Sequence, residues 1–272
     1  MATKQKDTLD RFYTNPEAVA KLISETPLDW AKAVYEPCAG QGHIYDLLPE
    51  QTRIGSDLCP PTNASNGIGY NNAFNIQCEE ESAVVSNFPF GVRNQLNDEL
   101  ITHFTSQDNV KLIALVLPDV YRKHSMQKVF SRDWALITST KLPRDSFIFE
   151  GKPYHVPAVY QVWVRKEEFE VTEDLRWEEK PTITHPHFEF STQPADMYVM
   201  GAGCAIKTPD EVGPTNRGYW LKSNIPLSEL RENISNVPWD NLGCSSANGG
   251  VYWITKPEFV KHYGDFNASS SF

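Results

Sequence analysis

From Asp10 to Arg165 the chain alternates short apolar runs with stretches of helical spacing. Ala33–Tyr35, Arg53–Leu58, Tyr70–Ile76, Ser82–Ser86, Val110–Leu117 and Trp134–Thr140 read as strands. Pro16 to Pro27, His43–Leu48 and the stretch QLNDELITHFTSQ read as helices. The first has Asn15 as N-cap, Pro16 at the first helical position and Glu17 in the first turn. Phe12 and Tyr13, just ahead of it, suit a hydrophobic staple. This alternation predicts a doubly wound α/β sheet of Rossmann type. Leu142–Gly151 reads as a hairpin-like excursion, and Val156–Arg165 closes as an antiparallel strand at the sheet edge.

The pattern changes at residue 167. Residues 167–181 are acidic and read as a linker after a first domain over residues 1–166. Residues 182–272 are dense in turns and read as a small α+β domain, an accessory or target-recognition module, with a tail, NASSSF, lacking structure. THPH, at Thr184–His187, reads as a turn because no spaced partner set accompanies its histidines.

The net charge of −10 excludes gripping nucleic acid by overall attraction. The local exception runs from Asp119 to Arg144, where Arg122, Lys123, Lys128, Arg132, Lys141 and Arg144 face only two acids. That stretch fits either a solvated helix face or local phosphate contact. The five cysteines form no Cys-x-x-Cys pair, so neither a disulfide framework nor a metal site is expected. The N-terminus has no apolar signal core and no membrane-spanning run occurs, so a cytoplasmic protein is expected.

Chemistry concentrates at predicted strand ends, where ligands bind in such sheets. Glu36-Pro37-Cys38-Ala39-Gly40-Gln41-Gly42 is a glycine-containing turn after a strand, able to bring backbone amides close to a ligand. It lacks the third glycine of the dinucleotide fingerprint. Asp57 ends the next strand at the spacing where an acid meets a ribose hydroxyl pair. The stretch SAVVSNFPFG ends a strand in Asn87-Phe88-Pro89-Phe90. A carboxamide and a carbonyl aimed by proline can both accept hydrogen bonds from an exocyclic amino group, and Phe90 offers a face for a planar base.

Phe12-Tyr13-Thr14-Asn15-Pro16, Glu36 to Gly42, Asp57 and Asn87-Phe88-Pro89-Phe90, in this order, resemble the S-adenosylmethionine-dependent amino-methyltransferases, above all the adenine-N6 enzymes. The order, with a C-terminal region after the tetrapeptide, is similar to the gamma arrangement of DNA amino-methyltransferases. The resemblance implies a Rossmann-like methyltransferase domain, S-adenosylmethionine as cofactor and adenine in DNA, ahead of RNA, as target. It implies that Tyr13 and Thr14 close over the cofactor, Thr14 near its carboxylate. Glu36, Gly40 and Gly42, with Cys38 in the same turn, would line the methionine part. Asp57 would hold the ribose hydroxyls, with Leu58 on the adenine ring. Asn87 and the Pro89 region would bind the target amino group, and Phe90 would stack on the base. Phe88, Phe147, Arg122 and Lys123 are further candidates for substrate contact.

Two positions depart from the family pattern. Phe88 stands where a first proline is usual, as in the RNA adenine dimethylases, whose motif has a bulky apolar residue there. Asn72 stands where an acid is usual near the cofactor adenine, with Phe74 beside it to pack on the ring. A protein-glutamine methyltransferase, whose target is also a planar amide nitrogen, and a non-catalytic cofactor-fold subunit are the rival readings.

Overall fold

The structure is a computed structural model that describes residues 12–149, 151–176, 183–239 and 253–269. The chain divides into two compact units, Met1–Arg176 and Trp177–Phe272.

The first unit is built on a seven-stranded sheet. Its strands are β2 (Ala33–Glu36), β3 (Arg53–Asp57), β4 (Ile68–Tyr70), β5 (Ser82–Ser86), β6 (Val110–Pro118), β7 (Trp134–Lys141) and β10 (Ala158–Arg165). Their order is β4-β3-β2-β5-β6-β10-β7. The first five in that order are parallel, and β10 runs antiparallel to both its neighbours. The sheet is Rossmann-like, and its strand order reverses between β2 and β5. A crevice opens at the carboxyl ends of the strands at such a point.

Period-two alternation assigns each side chain to one of two cores. Along β6, Leu112, Ala114 and Val116 join one cluster, with Val19 and Ile23 of helix α1 (Pro16–Ser24). Ile113, Leu115 and Leu117 join the other, with Leu100 and Phe104 of helix α2 (Gln95–Thr105). Asn15 caps α1 as expected, its side chain accepting the Glu17 N–H at 3.2 Å.

A separate three-stranded sheet joins β1 (Tyr13–Thr14) to the hairpin of β8 (Phe147–Phe149) and β9 (Lys152–Tyr154), in the order β1-β8-β9. A hairpin thus forms later than the expected Leu142–Gly151, with strands Phe147–Phe149 and Lys152–Tyr154, and β1 pairs with its first strand.

Several expectations are corrected. The strand over Val156–Arg165 is interior, between β6 and β7, and β7 takes the edge. Every residue of β10 is buried, with no polar face for solvent, whereas β7 becomes exposed toward Lys141. His43–Leu48 forms only a short 3-10 turn over Tyr45–Leu47. The strand expected over Tyr70–Ile76 lies earlier, at Ile68–Tyr70, and a 3-10 turn capped by Asn72 follows over Ala73–Asn75. Residues 167–176, read as linker, belong to the first unit. Phe169 and Val171 pack on its core, and Asp174 accepts the Leu136 N–H at 3.0 Å. The rest of the expected linker, residues 177–181, lies outside the described residues.

The second unit is α+β, as expected. A four-stranded antiparallel sheet runs β11 (Phe188–Ser191), β14 (Gly218–Ser223), β12 (Met197–Met200), β13 (Ile206–Lys207). Helices Leu227–Asn236 and Lys256–Ser269 share its core through Leu230, Ile234, Phe259 and Tyr263. The last helix extends through Ser269, into the tail expected to lack structure. The four described cysteines, Cys38, Cys59, Cys78 and Cys204, are free thiols. Among the described residues, no helix is long and apolar enough to cross a membrane, and no group of three metal-ligating side chains occurs.

Candidate functional site

A cavity of about 280 Å³ opens at the carboxyl ends of β2, β3 and β5, at the topological switch point. Its wall includes Tyr13, Thr14, Glu36, Cys38, Gly40, Asp57, Leu58, Asn72, Phe74, Asn87, Phe88, Pro89 and Phe90. Glu36, Asp57 and Asn87 meet because three neighbouring strands end at one place, and β1, from the other sheet, adds Tyr13 and Thr14.

The glycine turn leaves β2 after Glu36. Gly40 has φ of +52°, and a Cβ there would lie 2.8 Å from the Tyr13 ring. Glycine is therefore required both by the left-handed backbone and by Tyr13 lying against the turn. Gly42, the other predicted glycine, has φ of +92° and packs on Ser65, so it shapes the turn from behind. The Gly40 N–H donates to Asp57 Oδ2 at 2.8 Å, and the Cys59 N–H donates to Asp57 Oδ1, also at 2.8 Å. Asp57 is thus fixed to the glycine turn, and each oxygen keeps a lone pair for a further donor.

His43, which sequence reasoning passed over, holds β1 in place. Its Nδ1 lies 2.8 Å from the Thr14 carbonyl oxygen, which makes Nδ1 the donor. Tyr13 and Thr14 are thereby held on the cavity wall, so of the expected staple pair only Phe12 packs on the core that includes Val19 and Ile23 of α1. The only sequence signal for His43 was its place directly after the glycine turn.

Three buried polar atoms on the wall lack a hydrogen-bond partner: Thr14 Oγ1, Glu36 Oε2 and Asn87 Oδ1. An unmade hydrogen bond at a buried polar atom costs about 1–3 kcal/mol, so on a cavity wall such a group is a candidate to meet a ligand. Burial pushes the Glu36 carboxyl well above the usual range. The charges of Asp57 and Asp46 add to this, while a backbone hydrogen bond from Tyr45 opposes it. A cationic group brought beside Glu36 would restore its ionised form. Burial also raises the Cys38 thiol, so it is not a thiolate nucleophile.

At the opposite end of the cavity, the Asn72 side chain accepts the Phe74 N–H at 3.1 Å. Leu58 and Phe74 are 50% and 38% exposed and form an open apolar rim suited to a planar ring.

Asn87 is the first residue after β5. Its Nδ2 donates to the Phe12 carbonyl oxygen at 3.0 Å, leaving Oδ1 as its unused group. Phe90 stands on the cavity wall with an edge-on contact to Phe147 at 6.3 Å. Phe147 itself is fully buried behind Phe90 and is not on the wall, so the expected contact with substrate is corrected to support of Phe90. Phe88 borders the cavity, but its ring is 1% exposed and stacks on Phe104 at 5.7 Å, which makes it a core residue. Arg122 and Lys123 lie off the cavity wall, with Arg122 3.6 Å from the buried Asp119. The basic stretch is not one helix face. It is spread over a 3-10 turn, the four-residue helix His124–Gln127 and the far end of β7.

No protein-family model matches the chain, and no curated protein matches it. Solved structures similar to it include the 23S rRNA methyltransferase ErmE, at 12% identity and TM-score 0.44, covering 94% of this chain and 100% of that one. Magnesium protoporphyrin IX methyltransferase from Synechocystis, crystallised with bound S-adenosylmethionine, is 10% identical with TM-score 0.41, covering 55% and 77%. The M protein of the type I restriction enzyme EcoKI is 14% identical with TM-score 0.40, covering 68% and 48%.

Proposed function

We propose that this protein is an S-adenosylmethionine-dependent methyltransferase acting on the exocyclic N6 amino group of adenine, in DNA in preference to RNA. The observation that carries this reading is Asn87. Its amide N–H is committed to a backbone carbonyl, and its oxygen is buried without a donor beside the cavity. Such a group calls for a hydrogen-bond donor, and an exocyclic amino group supplies one.

The cavity residues fit the cofactor. Glu36 and Thr14 offer unpaired oxygens to an amino-acid end, Asp57 offers carboxylate lone pairs to vicinal hydroxyls, and Leu58 and Phe74 offer apolar surface to a purine. Gly40 leaves room where a Cβ would push on Tyr13. The cofactor, when bound, supplies an electrophilic methyl group.

The chain contributes the orientation of the nucleophile. Asn87 Oδ1 accepts one amino hydrogen, and a backbone carbonyl of the turn fixed by Pro89 accepts the other. With both hydrogens held, the lone pair leaves conjugation with the ring and becomes nucleophilic. Neither acceptor is basic, so the proton is passed on to water. Phe90 supports the planar base by stacking.

A second reading is favoured by one observation: among the described residues, no lysine or arginine lines the cavity. A glutamine side-chain amide in a protein presents the same pair of N–H donors without a phosphate.

The test is incubation with methyl-labelled S-adenosylmethionine and separate pools of duplex DNA, single-stranded DNA, RNA and protein. Label recovered as N6-methyldeoxyadenosine supports the first reading, and label recovered only as N6-methyladenosine keeps the chemistry but replaces DNA by RNA. Label on glutamine supports the second, and no label in any pool overturns both.

A further inference from the structure

We propose that the three-stranded sheet of β1, β8 and β9 fixes the orientation of the Asn87 carboxamide, through the Phe12 carbonyl and a ring seat formed by Phe149 and Tyr154. This rests on the reading of Asn87 as the group that accepts the substrate N–H.

A carboxamide has two orientations of similar shape that exchange its donor and its acceptor. A carbonyl partner can only accept. The Phe12 carbonyl therefore selects the orientation with Nδ2 toward itself, at 3.0 Å, and leaves Oδ1 for the cavity. In the flipped orientation two oxygens would face each other, and an NH₂ group would meet the substrate amino group.

Phe12 is 75 residues from Asn87 in sequence, so its position must be secured from elsewhere. Strand β1 has only two residues and pairs with β8 alone, Tyr13 opposite Ile148 and Thr14 opposite Phe147. The Phe12 ring adds the missing hold. It lies 5.3 Å from Phe149 and stacks on Tyr154, also at 5.3 Å, and those two rings are 5.7 Å apart. Just beyond β1, the Asn15 N–H donates to the Ser146 carbonyl at 2.8 Å. The cofactor wall has its own anchors, since His43 holds Thr14 and Gly40 carries Tyr13. Loosening the ring seat should thus disturb Asn87 without removing the cofactor contacts. Phe149 and Tyr154 are positioning residues.

The experiment compares the full chain with its Phe149→Ala and Phe149→Leu variants. Three quantities are read: the side-chain amide resonances of Asn87, assigned with Asn87→Asp; binding of S-adenosylhomocysteine by calorimetry; and the single-turnover rate on whichever pool accepts label. In Phe149→Ala the Asn87 resonances shift and the rate falls about a hundred-fold, as for a small misplacement of a reacting group. Binding of S-adenosylhomocysteine changes only a few-fold, and Phe149→Leu, which refills the seat, restores the resonances. Unmoved Asn87 resonances in folded Phe149→Ala overturn the proposal. So does a loss of binding equal to the loss of rate. If Phe149→Ala does not fold, Tyr154→Leu carries the same test. If no pool accepts label, methyl transfer is refuted, and the resonances still decide whether the sheet orients Asn87.

Discussion

Asp57 and Gly40 are joined by a 2.8 Å hydrogen bond from the glycine amide to the aspartate carboxylate, across 17 residues of sequence. This bond ties the end of β3 to the turn after β2, and it explains why one substitution should alter two parts of the cavity. Asp57→Ala removes the acceptor for both Gly40 and Cys59, together with the ribose contact proposed for it. Cofactor affinity measured by calorimetry is expected to fall about ten- to hundred-fold, the size of one or two hydrogen bonds to a charged group. An unchanged affinity would remove Asp57 from the binding site.

Asn87→Ala deletes the orphaned acceptor while leaving the cofactor wall intact. Methyl transfer is expected to fall by about a hundred-fold or more, the typical loss of one preorganised polar group, while S-adenosylhomocysteine binding stays within a few-fold. Retained transfer would show that Asn87 does not contact the reacting nitrogen.

Gly40→Ala places a methyl group 2.8 Å from the Tyr13 ring on a backbone with φ of +52°. The expected cost is about 1–3 kcal/mol of stability, visible as a lower thermal midpoint, with weaker cofactor binding. In combination with Tyr13→Ala the two losses should be less than additive, because the ring that clashes is gone. Strict additivity would mean that Tyr13 does not lie on the turn.

Glu36 is expected to add a pH dependence to cofactor binding. Its folded pKa is raised by burial. Relative to the unfolded chain, the ligand-free protein therefore holds this proton more tightly. The associated stability is complete below the unfolded pKa and is lost as pH rises through the folded one. A cationic ligand prefers the carboxylate, so cofactor affinity should rise with pH over the same window. Glu36→Gln should flatten that rise, weaken binding and raise the thermal midpoint of the ligand-free protein at neutral pH. A pH profile identical to that of the wild type would exclude Glu36 from the binding step.

Phe88→Ala tests the residue at which Asn87–Phe90 differs from the tetrapeptide of the amino-methyltransferases it resembles. The ring is 1% exposed against Phe104, so the expected loss is about 3–5 kcal/mol of stability. Denaturant midpoints measure it directly. A loss confined to substrate affinity, with stability intact, would return Phe88 to the substrate surface.

What the sequence determined was most strands of the central sheet, the glycine turn and the chemistry at its strand ends. Apolar runs with period two, Asn15 and Pro16 at a helix start, and Gly40 at a left-handed position are local signals, set by short-range sterics and hydrogen bonding. Tertiary structure alone decided which of these residues meet. The place of Val156–Arg165 depended on burial of both its faces between β6 and β7. Phe147 and Phe88, both aromatic and both near the motif, could not be told from contact residues until packing turned their rings inward. The proposed orientation of Asn87 depends on the backbone carbonyl of Phe12, the residue just ahead of a strand that the hairpin after β7 holds in place. Every residue carries a carbonyl, so no side-chain pattern could mark that one. Its role comes only from where the chain places it.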